Sequence, residues 1–222
     1  MSLIYINPYV FSAPAPGIVG DSILMNLDAG NTASYPSPFT GSTWLDLTGN
    51  GNNGALSGPI YNSDNNGSFV FDGINDIVNC GNVNFFGSGR MTLNAWVKLS
   101  SSKFQHIIDS TNGWHLAVLN DNKPYFWNGF SYHQFTPALS LNQWYMLTGV
   151  AGTTLDLYIN GVLSQSIATD VLLGSQTIVL GNWQGNSRYW HGNIATATIY
   201  SRPLNAAEVL QNFNALRGRY GL

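Results

Sequence analysis

The sequence predicts an all-β fold, a two-sheet antiparallel sandwich with one C-terminal helix and an extended N-terminal arm. Short runs rich in Val, Ile, Leu, Thr and aromatics recur between residues 21 and 202, separated by Asn-Gly, Asp-Gly or Gly-Asn turns. The hydrophobic period turns helical only near the C-terminus. The chain has 222 residues, 44% of them hydrophobic, which suffices for one large sandwich with a continuous core. Many strands at short spacing, with almost no helix between them, mean antiparallel sheets packed face to face.

Residues 1–20 come first. Pro8, Pro14 and Pro16 punctuate the apolar set Leu3, Ile4, Tyr5, Ile6, Tyr9, Val10 and Phe11, and this proline spacing argues against a helix. An extended apolar arm needs a surface to lie on. Two readings stand: an edge strand of its own domain, or a docking arm whose Ile4, Tyr5, Ile6, Tyr9 and Phe11 contact a neighbouring subunit.

Residues 21–222 form the domain proper. Candidate strands are Ser22–Asp28, Ser68–Asp72, Ile77–Cys80, Met91–Leu99, His106–Asp109, Trp114–Leu119, Lys123–Trp127, Tyr145–Val150, Leu155–Asn160, Val162–Ser166, Thr177–Leu180 and Ala195–Tyr200. Leu155, Leu157 and Ile159 alternate with Asp156, Tyr158 and Asn160, one face inward and one outward. Asn160-Gly161 then supplies the positive φ angles of a two-residue hairpin. At about 205–217 the period becomes helical. Asn205 and Glu208 make a capping box, Leu204 and Val209 a hydrophobic staple, and Val209, Leu210, Phe213 and Leu216 an apolar stripe that ends at Gly218. This helix is expected to close the open end of the sandwich.

Charge excludes several function classes. Charged residues are 9% of the chain, against about 25% in ordinary globular proteins. A net charge of -3, with scattered Lys and Arg, gives no footprint for nucleic acid or an anionic membrane. No apolar stretch reaches the ~18 residues of a membrane span. The first eight residues lack the basic start of a secretory signal, and Asn7 and Pro8 break their apolar run. Cys80 is the only cysteine, so no internal disulfide forms.

Several stretches resemble laminin-G-like (concanavalin A-like) jelly rolls: residues 44–54 (WLDLTGNGNNG), 69–76 (FVFDGIND), 93–98 (LNAWVK), 144–147 (WYML), 157–161 (LYING) and 199–204 (IYSRPL). They stand in family order over roughly residues 22–217. The opening 27–31 (LDAGN) and the ending 208–220 (EVLQNFNALRGRY) are similar to the version found in structural proteins of tailed phages, marine ones especially. The resemblance implies a jelly-roll sandwich. Its narrower part implies a non-enzymatic virion protein, surface-exposed or of the head-decoration type, made in the host cytoplasm without a signal peptide. Its partners would be other virion proteins or copies of itself, reached through the arm.

Catalysis finds little support in the residues. Related glucanases need two glutamates flanking the scissile bond, and Glu208 is the only glutamate, already assigned to a helix cap. His106, His115, His133 and His191 have no Gly-x-Ser-x-Gly elbow beside them, and no His or Cys pair has the spacing of zinc ligands. No catalytic residue is assigned and no cofactor is required. Many members of the fold hold a calcium ion at the rim, for which Asp72, Asn75 and Asp76 are the candidate ligands, with Asp28 and Asp46 also in turn-rich segments. The competing reading is that these residues make Asx turns. Ala195 and Thr196 stand where relatives often carry an Asp ligand, which counts against the metal.

Ligand recognition without chemistry is the alternative function, a carbohydrate-binding adhesion module for host or environmental glycans. Two loops are crowded with aromatics and amides, and from them Trp127, Phe130, Tyr132, Trp183, Arg188, Tyr189 and Trp190 are the candidate contacts. Their rings can stack on a sugar and their polar groups read its hydroxyls; the same residue types also suit packing or a protein interface.

Overall fold

The computed structural model describes residues 17–84, 90–110, 113–127, 132–168, 176–183 and 187–222. The arm residues Ile4, Tyr5, Ile6, Tyr9 and Phe11, and the loop residue Phe130, lie outside the described residues. In chain order the strands are β1 (Ile23–Asp28), β2 (Thr43–Trp44), β3 (Gly54–Ser57), β4 (Ile60–Asn62), β5 (Ser68–Asp72), β6 (Ile77–Val83), β7 (Met91–Leu99) and β8 (Gln105–Ser110). They continue as β9 (His115–Val118), β10 (Pro124–Trp127), β11 (Tyr132–Gln134), β12 (Trp144–Ala151), β13 (Thr154–Ile159), β14 (Val162–Ala168), β15 (Gln176–Leu180) and β16 (His191–Tyr200), followed by the helix α1 (Ala206–Leu216).

The strands form the expected two antiparallel sheets. The first runs β14-β13-β12-β7-β16-β5-β4, and β1 pairs with the far end of β16. The second runs β11-β10-β9-β8-β15-β6-β3-β2. Four strands lie outside the sequence expectation: β2, β3, β4 and β11, each of two to four residues. Such short strands are set by their neighbours' ladders and carry too few residues to show a period of two.

The central strands of the first sheet, β7, β12 and β16, are buried on both faces. Leu93, Ala95, Val97 and Leu99 of β7 point into the inter-sheet core, with Phe69, Phe71, Val78, Leu116 and Phe126 among their companions. Trp96, between them in sequence, points the other way and joins Trp144, Met146, Tyr158 and Tyr200 under Val209 and Phe213 of α1. Trp96 stacks on Phe213 at 5.7 Å and on Tyr220 at 4.1 Å. A strand covered on both sides reads as a continuous apolar run, as Met91–Leu99 does. The helix therefore covers the outer face of the first sheet instead of closing an open end. The same second layer buries Tyr158, which alternation alone would leave in solvent.

The capping box forms as the sequence predicts. Glu208 N–H donates to Asn205 Oδ1 at 3.0 Å, and Asn205 N–H donates to Glu208 Oε2 at 2.9 Å. Arg202 adds a fork to the same carboxylate at 2.9 and 2.7 Å and reaches Asp21 at 2.8 Å. The chain does not stop at Gly218: a 3-10 turn continues through Arg217–Tyr220, and the left-handed residue is Gly221, with φ of 72°. Arg219 then grips Asp28 of β1 through both carboxylate oxygens at 2.8 and 2.9 Å. Residues 17–19 also rest on this helix. Val19 is buried and its N–H donates to Asn212 Oδ1 at 2.8 Å, while Gln211 donates to the Gly17 carbonyl. Among the described residues no helix is long and apolar enough to cross a membrane.

Candidate functional site

The outer face of the second sheet, on the side away from α1, carries a cleft of about 340 Å³ lined by Ser110, Gly113, His115, Tyr125, Trp127, Trp183 and Arg188. Its floor is the β8–β9–β10 meander. In β9 and β10, Leu116, Val118 and Phe126 face the core, which turns His115, Ala117, Tyr125 and Trp127 outward. The two strands pair so that Trp127 lies opposite His115. In β8 the register slips between His106 and Ile108, where Ile107 is the extra residue. A bulge re-aims the side chains beyond it. Here it brings Asp109, three residues after His106, to the same face as that histidine.

These residues make a buried polar floor. His106 Nδ1 lies 3.3 Å from Asp109 Oδ1 and His115 Nδ1 lies 3.0 Å from the same oxygen. The first contact is a hydrogen bond, whereas the second is close but off the axis of one. Burial drives the His106 imidazole down to about 4, so it is neutral at ordinary pH. Burial alone would raise the Asp109 carboxyl, but the contacts from His106 and His115 outweigh it and hold the group below the usual carboxylate range. Ser110 uses its hydroxyl to accept from the Trp114 amide at 2.7 Å.

Aromatic groups build the walls. Trp183 stacks on His106 with centroids 5.6 Å apart and planes at 6°, and Trp127 stacks on His115 at 6.0 Å and 7°. The Arg188 guanidinium lies 3.9 Å above the Phe104 ring and 4.3 Å above Trp183, two cation–π contacts worth roughly 0.5–2 kcal/mol each. Both indoles stay partly exposed. The result is an apolar, ring-lined mouth with a few fixed N–H donors.

Of the residues singled out from the sequence, Trp127, Trp183 and Arg188 come together in this cleft. Trp190 does not: it is fully buried in the inter-sheet core, because the aromatic-dense stretch before β16 turns it inward. Tyr189 is half-buried and does not line the cleft, while the side chain of Tyr132 on β11 and the whole of Phe130 lie outside the described residues. Sequence reasoning missed Tyr125, His115, His106 and Asp109. The last three carry no local ligand spacing, since His106 and His115 are brought together by hairpin pairing and the bulge. Among the described residues they are the one group of three His, Cys, Asp or Glu side chains whose donor atoms lie within 4.8 Å of one another. Local spacing in the sequence does not reveal this cluster, which the hairpin assembles.

The calcium candidates are committed to their own loop. Asp72 Oδ1 accepts from Ile74 N–H at 2.7 Å and Asn75 N–H at 3.3 Å, and Asp76 Oδ2 accepts from Asp72 N–H at 2.8 Å. Amide hydrogen bonds hold Asp72 below the usual carboxylate range, whereas burial raises Asp76. Asp46 likewise gathers the Asn26, Thr48 and Asn52 amides, and Asp28 is held by Arg219. Asp72 closes an Asx turn over Ile74 and Asp46 one over Thr48, so each of these carboxylates already accepts backbone amides.

A family model described as the concanavalin A-like lectin/glucanases superfamily matches residues 71–210. Among solved structures, the chain is similar to a Trypanosoma rangeli sialidase in complex with sialic acid, at 14% identity and a TM-score of 0.71, covering 96% of this chain and 36% of that one. It is similar to domain 4 of AbnA, an extracellular arabinanase from Geobacillus stearothermophilus in complex with arabinotriose, at 14% identity and 0.65, covering 87% and 98%. The receptor-binding domain of a botulinum neurotoxin C/D mosaic serotype matches at 20% identity and 0.66, covering 88% and 51%. At these identities the likeness shows the fold, and the chain spans only about a third of the sialidases' own length. Comparison with curated protein sequences gives no match.

Proposed function

Since the chain belongs to the concanavalin A-like lectin/glucanase superfamily, we propose that it is a non-enzymatic carbohydrate-binding module whose ligand enters the Trp127–Trp183 cleft. The observation that carries this reading is the pair of half-exposed indoles, each backed by a parallel imidazole, at the mouth of a cleft with Arg188 beside them. Flat rings fixed from behind are suited to stack on the apolar face of a sugar, and the guanidinium supplies donors for its hydroxyls. The arabinotriose complex of domain 4 of AbnA supports the reading, because this chain spans 98% of that domain. Among the described residues the one carboxylate beneath the cleft is Asp109, buried and engaged by two histidines, and the only glutamate, Glu208, sits on the helix cap across the sandwich. Retaining and inverting hydrolysis both need two carboxylates about the scissile bond, so binding without turnover is the function proposed.

We place this module on a tailed-phage virion, as a surface-exposed or head-decoration protein joined to other virion proteins or to further copies of itself by residues 1–16. The similarity of residues 27–31 and 208–220 to phage structural proteins and the apolar composition of the arm support that setting. The test is binding to a panel of neutral and acidic polysaccharides by affinity electrophoresis, followed by calorimetry with the best ligand. Trp127→Ala and Trp183→Ala are each expected to weaken binding about tenfold or more, since one stacking contact is worth roughly 0.5–1.5 kcal/mol beyond its buried area. Absence of binding across the panel, or full binding by both variants, overturns the proposal.

A further inference from the structure

We propose that His106, Asp109 and His115 form a site for a zinc-type divalent cation, set into the floor of the aromatic cleft. Three independent features of the hairpin converge on it. The first is distance. The two imidazole Nδ1 atoms stand 3.3 and 3.0 Å from Asp109 Oδ1, and all three donors lie within 4.8 Å of one another. A tetrahedral ion with bonds of ~2.0–2.1 Å sets neighbouring ligand atoms about 3.3 Å apart, so two of the three donor separations already stand close to that edge length.

The second feature is burial. The side chains of His106 and Asp109 are 0% exposed and that of His115 is 8% exposed. An ion set among them would be shielded from bulk water. His106 Nε2 is also buried, with no hydrogen-bond partner among the described residues, so its Nδ1 is the nitrogen that serves the cluster. The third feature is donor chemistry. Two imidazole nitrogens and one carboxylate oxygen are the set that zinc and its neighbours in the first transition row prefer, whereas calcium takes six to eight oxygens.

The protein supplies three ligands and leaves a fourth position open, and the ring of one ligand, His115, borders the cleft. There a water, or an oxygen of a bound molecule, completes the coordination. The ion would also hold the cleft in shape. Trp183 rests on His106 and Trp127 rests on His115, so the two imidazole ligands are the two surfaces that support the indoles. This inference does not depend on carbohydrate binding, and its test needs no sugar.

The full chain, stripped with chelator and dialysed, is titrated with cobalt(II) while visible absorption and tryptophan fluorescence are recorded. The expected result is the strong visible spectrum of tetrahedral cobalt, saturating at one equivalent, displaced by zinc, and accompanied by a fluorescence change. His115→Ala and Asp109→Asn should each lose more affinity than the ~10–100-fold that removing an outer supporting group costs. His133→Gln and His191→Gln, which change histidines elsewhere in the chain, should leave the titration unchanged. Circular dichroism checks the folding of Asp109→Asn, and if it does not fold, His115→Gln decides alone. Absence of saturable cobalt binding overturns the site, as does binding that survives the His115 substitutions or vanishes with the His133 or His191 change.

Discussion

Replacing Glu208 by Gln separates the charge of the helix cap from its shape. Glutamine still offers an oxygen to the Asn205 amide, so the cap bond survives while the negative charge beside Arg202 is lost. The pair is bidentate at 2.9 and 2.7 Å, with side chains 28% and 23% exposed. Exposed ion pairs contribute roughly 0.2–1 kcal/mol, and this forked, half-covered geometry belongs at the upper end, about 1 kcal/mol. In a domain of ~150–250 residues, that lowers the melting temperature by about 2–4 °C. The pH dependence is the sharper part. Hydrogen bonds from Arg202 hold the Glu208 carboxyl below its usual range, so its folded value lies under its unfolded one. Its contribution is therefore complete above the unfolded pKa of about 4.3 and is lost as pH falls through the folded value. Melting curves of both proteins between pH 7 and pH 3 should show a constant gap down to about pH 5 and a narrowing gap below it. A gap that stays flat throughout, or is absent at pH 7, refutes the ion-pair reasoning.

Asn205→Ala should cost about 1 kcal/mol by removing the cap itself, measured by urea unfolding, and this loss should not vary between pH 5 and pH 7. Gly192→Ala should cost at least ~2 kcal/mol, because Gly192 sits at φ 144° and an added Cβ would collide with the Lys98 carbonyl; a wild-type melting curve would contradict this. Removing residues 1–16 should leave the melting temperature unchanged, since Val19 and Gly17 keep their places on α1, while self-association or particle attachment measured by light scattering is lost. EGTA in excess should not alter thermal melting, because the oxygens of the Asp72–Asp76 loop hold its own amides; a clear drop would restore calcium to that loop. Reducing-sugar assays on a polysaccharide panel should detect no cleavage.

Where a feature is local, the sequence carries it. Asn160 and Gly161 take φ of 53° and 78°, as a two-residue hairpin requires, and the capping box forms between the two residues named for it. Ser68–Asp72 and Met91–Leu99 fall on their expected bounds. Features that depend on pairing are harder to see. Nothing near His106 announces the bulge that aligns it with Asp109, and the eight residues between it and His115 match no local ligand spacing. Trp190 shows the same limit: composition marks the stretch before β16 as aromatic, but only the ladder decides which ring turns inward. A usable signal was present in β9 and β10. Leu116 and Val118, like Phe126, alternate with His115, Tyr125 and Trp127, so an outward face rich in rings could have been suspected there.

The two-sided burial of the first sheet's central strands gives the molecule a polarity. Its outer layer holds α1, the 3-10 turn after it and the chain leading in from Gly17, while the cleft opens on the opposite side, beyond the second sheet. A contact made on the α1 face beside Gly17 would leave the Trp127–Trp183 mouth on the far side of the sandwich, directed away from it. Copies planted side by side would all present their clefts outward, with the sandwich itself as the spacer. For a ligand with repeating units, such an array turns each further contact into a local event at raised effective concentration, so weak single sites sum to firm adhesion.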